Sequence, residues 1–336
     1  MAFEAGTASS FADLQGKIET FLTTNGYTLT TGIITKAGTQ IHVKFDSDAN
    51  NLRLEMGKDS SAGSLLHLHP TRELGTTAQK VGMGSGYYDD TTIVFPVSYN
   101  FQVWANPENE FRCVINYNNE HTQNVGFGEI IKSVNMDGGV YVDGSGALMR
   151  ATTNIGSSNI TNVTPASCLS NTFALTRAFC NPLPFGYGRN GLTGSAGSTQ
   201  LWAEFMGFDW FLTGDINGTD ESGNKYFRST DTFFTPLRTS QHNYKELEDS
   251  LQTYNANSAL VPIRIYGQNP NDNYAALGSI RNIRYLNIKH LNFGQVLDDG
   301  VDKWKVYPAY FKNASVVNGN DTHSGQLGFA VRYDGA

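Results

Sequence analysis

The feature that most constrains this sequence is a single change of hydrophobic periodicity near its start. Apolar residues first recur at helical spacing, at Phe11, Leu14, Ile18, Phe21 and Leu22. Ser10 precedes this stripe as a typical N-cap, and Asn25-Gly26 follows it with residues that tolerate a left-handed backbone. After Gly26 the periodicity switches to two, which is the spacing of half-buried strands. The sequence therefore predicts one N-terminal helix followed by β-structure.

The predicted strands are short and are separated by turn-forming residues. They cover residues 27–31, 33–36, 40–45, 52–56, 64–69, 94–104, 111–117, 125–131, 140–142, 260–266, 283–288, 304–311 and 327–333. Residues 105–109 contain Asn-Pro and predict a hairpin loop between two of these strands. The predicted fold is mainly β, with antiparallel sheets arranged like a β-sandwich, one N-terminal helix, long loops and a minor α+β character.

A shift in composition predicts three parts of the chain. Residues 1–145 contain the helix and most of a β core. Residues 146–280 predict a loop-rich β insertion or a second subdomain, because residues 147–199 are rich in Ser, Thr, Asn and Gly and have few apolar runs. Residues 281–336 return to strand patterns and are expected to complete the β core.

Composition excludes several classes of protein. The charged fraction is 16% and the aromatic fraction 12%, whereas disordered chains carry heavy charge and few aromatics. The net charge is −7, from 24 basic and 31 acidic residues, whereas a nucleic-acid binder is expected to carry positive charge. No apolar run is long enough to span a bilayer, and residues 1–10 do not have the pattern of a signal peptide. We therefore expect a protein made in the cytoplasm, with no nucleic-acid or membrane partner.

The candidate chemical sites are weak. His67 and His69 would share one face of a strand and could ligate a metal, although a strand end before a proline explains them better. Residues 215–221 resemble a calcium loop, but the glycine and glutamate positions do not match an EF-hand. Cys113 lies in an apolar strand, which favours packing over nucleophilic chemistry. The sequence predicts no catalytic residue, no cofactor and no metal, and hence a protein that is not an enzyme.

Large aromatic residues are the remaining candidates for function. Aromatic side chains dominate both protein cores and subunit interfaces. The candidates for packing or interface contacts are Tyr99, Trp104, Phe127, Trp202, Trp210 and Trp304. The dense aromatic segment at 202–211 also permits the alternative that these rings stack on sugars.

Three blocks of the sequence, taken in order, resemble a family of virion proteins of tailed bacteriophages. The first is the helix-to-strand segment 14–27, with Leu14, Ile18, Phe21-Leu22 and Asn25-Gly26-Tyr27. The second runs from Pro96-Val97-Ser98-Tyr99-Asn100-Phe101 through Asn106-Pro107 to Val114-Ile115-Asn116-Tyr117 and Val125-Gly126-Phe127-Gly128-Glu129. The third joins Trp304-Lys305-Val306-Tyr307-Pro308 with Gly328-Phe329-Ala330-Val331-Arg332-Tyr333. The middle of the chain, from 145 to 280, carries no matching motif.

The resemblance implies a structural component of the virion, in the tail, the neck or collar, or the baseplate. Such a protein works in a ring or other multimer, so its partners would be copies of itself and other virion proteins. The family brings no catalytic motif that could be transferred to this chain. The alternative is a receptor- or glycan-binding tail component, or one that also cleaves polysaccharide, which the aromatic segment 202–211 and the polar segment 147–199 suggest.

Overall fold

A computed structural model of the chain describes a helix and the strands of several antiparallel sheets. The described residues are 1–49, 51–57, 59–61, 64–66, 71–75, 93–117, 121–133, 135, 138–144, 146–148, 198–205, 211–214, 218–219, 225–227, 253–254, 257–268, 274–308, 316–318, 321–323 and 326–335.

The elements follow one another in this order. They are β1 Ala2–Ala8, α1 Phe11–Thr24, β2 Thr28–Thr30, β3 Ile33–Thr35, β4 His42–Ser47, β5 Asn51–Gly57, β6 Asp59–Ser61, β7 Ser64–Leu66, β8 Thr71–Gly75, β9 Val97–Val103, β10 Phe111–Tyr117, β11 His121–Glu129, β12 Ile131–Lys132, β13 Gly138–Gly144, β14 Gly146–Leu148, β15 Ser198–Phe205, β16 Phe211–Gly214, β17 Gly218–Thr219, β18 Lys225–Phe227, β19 Thr253–Tyr254, β20 Asn257–Ser258, β21 Val261–Gln268, β22 Tyr274–Asn287, β23 Val296–Asp298, β24 Lys303–Pro308, β25 Val316–Asn318, β26 Asp321–His323 and β27 Leu327–Arg332.

The helix α1 begins and ends at the residues that the sequence predicts. The Ser10 hydroxyl accepts a hydrogen bond from the Asp13 backbone N–H at 3.0 Å, which satisfies one of the free donors of the first turn. At the other end the Asn25 N–H donates to the Leu22 carbonyl, and Gly26 adopts a φ of +83° that a side chain would disfavour. The buried residues of the helix are Phe11, Leu14, Ile18, Phe21 and Leu22.

The first sheet contains seven antiparallel strands in the order β1-β9-β10-β11-β13-β15-β16. Successive strand residues point to opposite faces, so Phe101 and Phe111 share the face that receives α1. The Phe21 ring of the helix lies 5.6 Å from the Phe101 ring and 6.4 Å from the Phe111 ring. The helix therefore covers one face of the first sheet with its apolar stripe.

The second sheet, in the order β14-β8-β5-β4-β3-β2, packs against the same core. Phe45 of β4 contacts Phe111 edge to face, with ring centroids 6.0 Å apart. Val43, Leu54 and Met56 belong to the same buried cluster as the helix stripe and the first sheet. One hydrophobic core thus joins the helix, the first sheet and the second sheet.

The C-terminal sheet lies on the opposite face of the first sheet. Its strand order is β12-β22-β27-β24-β23, and β21 pairs with β22. Lys305 of β24 donates to the side-chain oxygen of Asn100 on β9 at 2.8 Å, and Asn100 alternates with the core residue Phe101. On its other side the C-terminal sheet has a small core of its own, which includes Trp304, Val306 and Ala330. The described chain is therefore layered, with the first sheet in the middle.

The predicted fold class is confirmed: the chain is mainly β, its sheets are antiparallel, and one helix lies near the N-terminus of the described residues. The predicted strand at 94–104 begins later, at Val97, because Pro96 has no N–H for the ladder. The structure also contains β1, for which the sequence analysis predicted no strand. Strands β15 and β16, from the predicted middle part, extend the first sheet; the three-part division stays a prediction.

Candidate functional site

Tyr99 holds the first two strands of the first sheet together. Its ring stacks on Phe101 with centroids 4.1 Å apart, and its hydroxyl donates to the Glu4 carboxylate at 2.8 Å. A Cβ at Gly6 would lie 2.6 Å from the Tyr99 hydroxyl oxygen, so the absence of a side chain at Gly6 makes room for the ring. Burial and the hydrogen bond to Glu4 raise the pKa of Tyr99 well above its usual value. Tyr99 therefore acts as a neutral donor that fastens β1 to the sheet.

Phe127 and Trp104 are buried in the interior of the chain. The Phe127 ring lies 5.5 Å from the Phe111 ring and 5.9 Å from Tyr27, which it meets edge to face. Trp104 is 3% exposed, and its backbone N–H donates to the Glu110 carbonyl at 2.9 Å. Both aromatic residues contribute to packing within the chain.

Trp304 is buried in the small core of the C-terminal sheet. Its indole N–H donates to the Asp299 carboxylate at 2.9 Å, and the Arg284 guanidinium lies over its ring at 4.4 Å. Burial lowers the pKa of Arg284, although the charges of Asp302 and Asp299 partly offset that effect. The ring is thus covered by a cation on one face and fixed at its edge by a carboxylate.

The two remaining aromatic candidates lie in the predicted middle part. Trp202 belongs to β15, where its backbone pairs with Val142 of β13 and Leu212 of β16. Trp210 lies outside the described residues. Of the six candidates, the four whose side chains the structure describes are buried within the chain. These four side chains are therefore not exposed on its surface.

A mostly buried polar cluster joins the first sheet to the C-terminal sheet. We call Glu110, Arg112, Asn124, Asn282 and Arg332 the interlayer cluster. Arg112 donates to the Asn124 side-chain oxygen at 3.3 Å and lies 3.8 Å from the Glu110 carboxylate. From the facing sheet, Asn282 donates to Glu110 at 2.9 Å and accepts from Arg332 at 3.3 Å. Because Glu110 and Arg112 are almost fully buried, these contacts fix how the two layers meet.

Lys305 contacts three separate segments of the chain between the first sheet and the C-terminal sheet. Its ammonium lies 5.3 Å from the Phe3 ring centroid and 5.1 Å from the Tyr333 ring centroid, a cation–π arrangement, and it donates to Asn100. The two rings contact each other edge to face at 4.8 Å. Burial lowers the pKa of Lys305. The first strand, the sheet and the C-terminal segment therefore meet at one lysine.

The structure gives little support to the chemical sites considered from the sequence. His67 and His69 lie outside the described residues, as does most of the segment 215–221. Cys113 is buried, and burial raises the pKa of its thiol far above the usual value, which disfavours the reactive thiolate. Across the described ranges, no three His, Cys, Asp or Glu side chains are grouped to hold a metal ion. No helix among the described residues has the length and apolar character needed to cross a membrane.

Neither β1 nor the interlayer cluster is predicted by the sequence patterns. The spacing of Glu110 and Arg112 along the chain is the same whether the pair is buried or exposed, so it does not indicate burial. The only available signal was the pair of glycines, Gly126 and Gly128, in a strand that is otherwise well formed, since a glycine inside a strand often marks a close approach of another group. At Gly126 that group is the Arg112 guanidinium.

Comparison with known proteins gives no family to which the chain can be assigned. No protein-family model matches the sequence, and no curated protein matches it.

Proposed function

We propose that this protein is a non-enzymatic structural component of a tailed-phage virion, in the tail, the neck or collar, or the baseplate, and that it assembles as a multimer. The observation that carries the proposal is that the three sequence blocks that resemble the virion family pack together in space. Blocks that are far apart in the chain form one layered unit, as expected if they descend together from one ancestral fold.

The contacts between the first two blocks form the main core. The helix of the first block places Phe21 against Phe101 and Phe111 of the second. At the end of the first block, Tyr27 meets Phe127 edge to face, and its hydroxyl donates to the Asn109 carbonyl at 2.9 Å. The helix and the strands that the resemblance connects are therefore one packing unit.

The third block joins this unit from the other side. Lys305 reaches Asn100 in the second block, and Arg332 reaches Asn282, which itself donates to Glu110. Tyr307 and Phe329 stack in the third block with centroids 5.5 Å apart. All three blocks thus meet in and around the first sheet.

Composition agrees with a role in assembly. A charged fraction of 16% is low beside the roughly 25% typical of globular proteins. Permanent interfaces are large and more apolar than transient ones, so a surface covered by neighbours needs little solvating charge.

Antibody labelling of virus particles tests the proposal directly. Antibodies raised against the purified chain should decorate particles made from the genome that encodes it, at the neck, along the tail or at the baseplate. The control is the same antibody after adsorption on the purified chain, which should remove the label. Unlabelled particles, together with a particle proteome that lacks the chain, would refute the proposal. Clear binding to a glycan array, or release of polysaccharide by the purified chain, would favour the receptor- or glycan-binding alternative.

A further inference from the structure

The first sheet ends in a strand whose outer edge is unpaired within the described part of the chain. β1 pairs with β9 from Ala2 opposite Val103 to Ala8 opposite Val97, without a register shift. It is the terminal strand of the sheet, and among the described residues its backbone makes no hydrogen bond beyond this ladder. Alternate N–H and C=O groups of β1 therefore face outward and can pair with another strand.

β1 also lacks most of the features that protect edge strands. Natural edges are kept short or are blocked by proline, by lysine or by a bulge. β1 is 7 residues long, contains neither proline nor lysine, and has regular pairing. Its single charge, Glu4, accepts a hydrogen bond from the Tyr99 hydroxyl of the paired strand β9, so the carboxylate is directed away from the outer edge.

The other described end strands differ from β1 in this respect. β12 has 2 residues, β2, β14 and β23 have 3 each, and β16 has 4. β21 is longer, with 8 residues, but it contains Pro262 and its pairing has two register shifts. The long, regular and unblocked edge is thus a property of β1.

Both faces of β1 are anchored, so its edge is already in the conformation that pairing requires. On one face Phe3 packs against Tyr333 and lies under the Lys305 ammonium. On the other face the Tyr99 ring covers Gly6. A strand that is held extended before association loses little conformational entropy when it binds.

We infer that the β1 edges of two copies of this chain pair antiparallel about a twofold axis at Ala5. This inference rests on the multimer of the proposed function and names the surface through which two copies join. The twofold register sets Ala2 against Ala8, Phe3 against Thr7 and Glu4 against Gly6 of the second copy. The result is one sheet that continues across both copies.

The chemistry of the strand fits a second copy as its partner. Each copy carries a net charge of −7, so two copies approach with least repulsion along a segment that has almost no charge. In the twofold register the one carboxylate of β1 faces a glycine and not the other carboxylate, which avoids a like-charge cross-strand pair. Ala5 and Thr7 are exposed and small, so no bulky side chain obstructs the approach. A twofold contact also closes on itself and does not propagate into fibres.

Cross-linking of the full chain tests the register. In an Ala5→Cys variant the twofold axis places two thiols opposite each other, with Cβ atoms about 4.5–5.5 Å apart. A short bis-maleimide should then give a covalent dimer in high yield. Thr28→Cys is the matched control, because Thr28 is also exposed on an end strand, β2; it should give no more dimer than the unmodified chain. Equal yields from the two variants, or no covalent dimer from Ala5→Cys, would overturn the inference.

A charge variant tests the energetics independently. Ala5→Lys places two ammonium groups opposite each other at the axis, and the dimer dissociation constant should rise at least about tenfold, measured by native mass spectrometry or light scattering. Thr28→Lys should leave association unchanged, and circular dichroism should show that both variants are folded.

The outcomes separate this inference from the proposed function. If the folded Ala5→Lys variant associates as strongly as the unmodified chain, copies join through another surface, and the inference fails while the multimer stands. If the unmodified chain is monomeric at every concentration, pairing through β1 is refuted, while antibody labelling of particles still decides the virion assignment.

Discussion

At Gly126 the missing side chain makes room for a buried charge. A Cβ there would lie 2.5 Å from the Arg112 guanidinium carbon and 2.6 Å from the Phe111 carbonyl oxygen. One of these atoms belongs to a fully buried side chain and the other to the backbone, so neither can move away easily. We expect Gly126→Ala to lower the free energy of unfolding by about 1–3 kcal/mol, measured by urea denaturation.

The matched control is a glycine with free space around it. Gly16 lies on the exposed side of α1, and beyond its own helix a Cβ there would meet no atom of the described residues within 4 Å. Because glycine inside a helix is less favourable than alanine, Gly16→Ala should raise the free energy of unfolding by roughly 0.5–1 kcal/mol. Equal effects of the two substitutions would contradict the role given to Gly126.

Gln102 shows the opposite situation, a polar side chain that gains little from its burial. Both polar atoms of its amide are buried and make no hydrogen bond to the described residues. The amide faces the Tyr307 hydroxyl, but the contact does not reach hydrogen-bond geometry. An unsatisfied buried polar group costs about 1–3 kcal/mol, and an apolar replacement of similar shape removes that cost. We therefore expect Gln102→Met to raise the melting temperature, as read by calorimetry; a clear fall would show that the amide does have a partner.

At the scale of elements, local signals in the sequence were sufficient wherever the neighbouring residues themselves determine the structure. Ser10 and Gly26 mark the ends of α1 because capping depends on residues in the adjacent turn. The strand β10 was predicted at its observed bounds because its apolar run lies between a turn and a polar segment.

Non-local pairing is the part that the sequence did not reveal. β1 has the sequence Ala-Phe-Glu-Ala-Gly-Thr-Ala, which contains one large apolar residue and no β-branched aliphatic residue. It is a strand because it pairs with β9, far along the chain, and because Tyr99 and Lys305 hold it there. The outer edge of β1 was not predicted either, because it exists only once β1 has paired with β9.

The turn between β23 and β24 should respond to acid. The Asp299 carboxylate accepts hydrogen bonds from the backbone N–H groups of Asp302 at 2.8 Å and Val301 at 3.0 Å, and from the Trp304 indole. These bonds favour the charged form and hold the pKa of Asp299 below its usual value of 3.8. A carboxyl group whose pKa is lowered by folding stabilises the fold above its usual pKa, and that contribution is lost as the pH falls through the lowered value.

Asp299→Asn should therefore destabilise the protein most at neutral pH, and the difference from the unmodified chain should shrink as the pH falls below 3.8. Urea denaturation at a series of pH values measures this difference. Asp334→Asn, on an exposed residue, is the control and should show a small difference at every pH. A difference for Asp299→Asn that stays constant down to pH 3 would exclude a role for its charge.

At the scale of the whole molecule, the two faces of the first sheet are held by different physical forces. The face toward α1 and the second sheet is joined by aromatic and aliphatic packing, with Phe21, Phe45 and Phe111 in contact. The face toward the C-terminal sheet combines ring packing, such as Phe3 with Tyr333, with buried polar contacts, chiefly the interlayer cluster and Lys305. Apolar packing tolerates small shifts, whereas buried hydrogen bonds require one arrangement of the layers. Periodicity predicts the first kind of contact but not the second, because polar partners between the two sheets lie up to 205 residues apart.

Two neighbouring glutamates test whether the interlayer cluster couples the first sheet to the C-terminal sheet. Glu110 is buried against Arg112 and Asn282, while Glu108 lies 3.5 Å from Arg281, whose side chain is 56% exposed. Removing one charge of a buried pair costs roughly 3 kcal/mol, and an exposed partner makes a pair worth less than about 1 kcal/mol. Glu110→Gln should therefore destabilise the chain much more than the matched variant Glu108→Gln. Because Glu110 bridges two layers, hydrogen exchange should accelerate in both α1 and β27 of Glu110→Gln. Faster exchange in β27 alone would mean that the C-terminal sheet unfolds independently of the first.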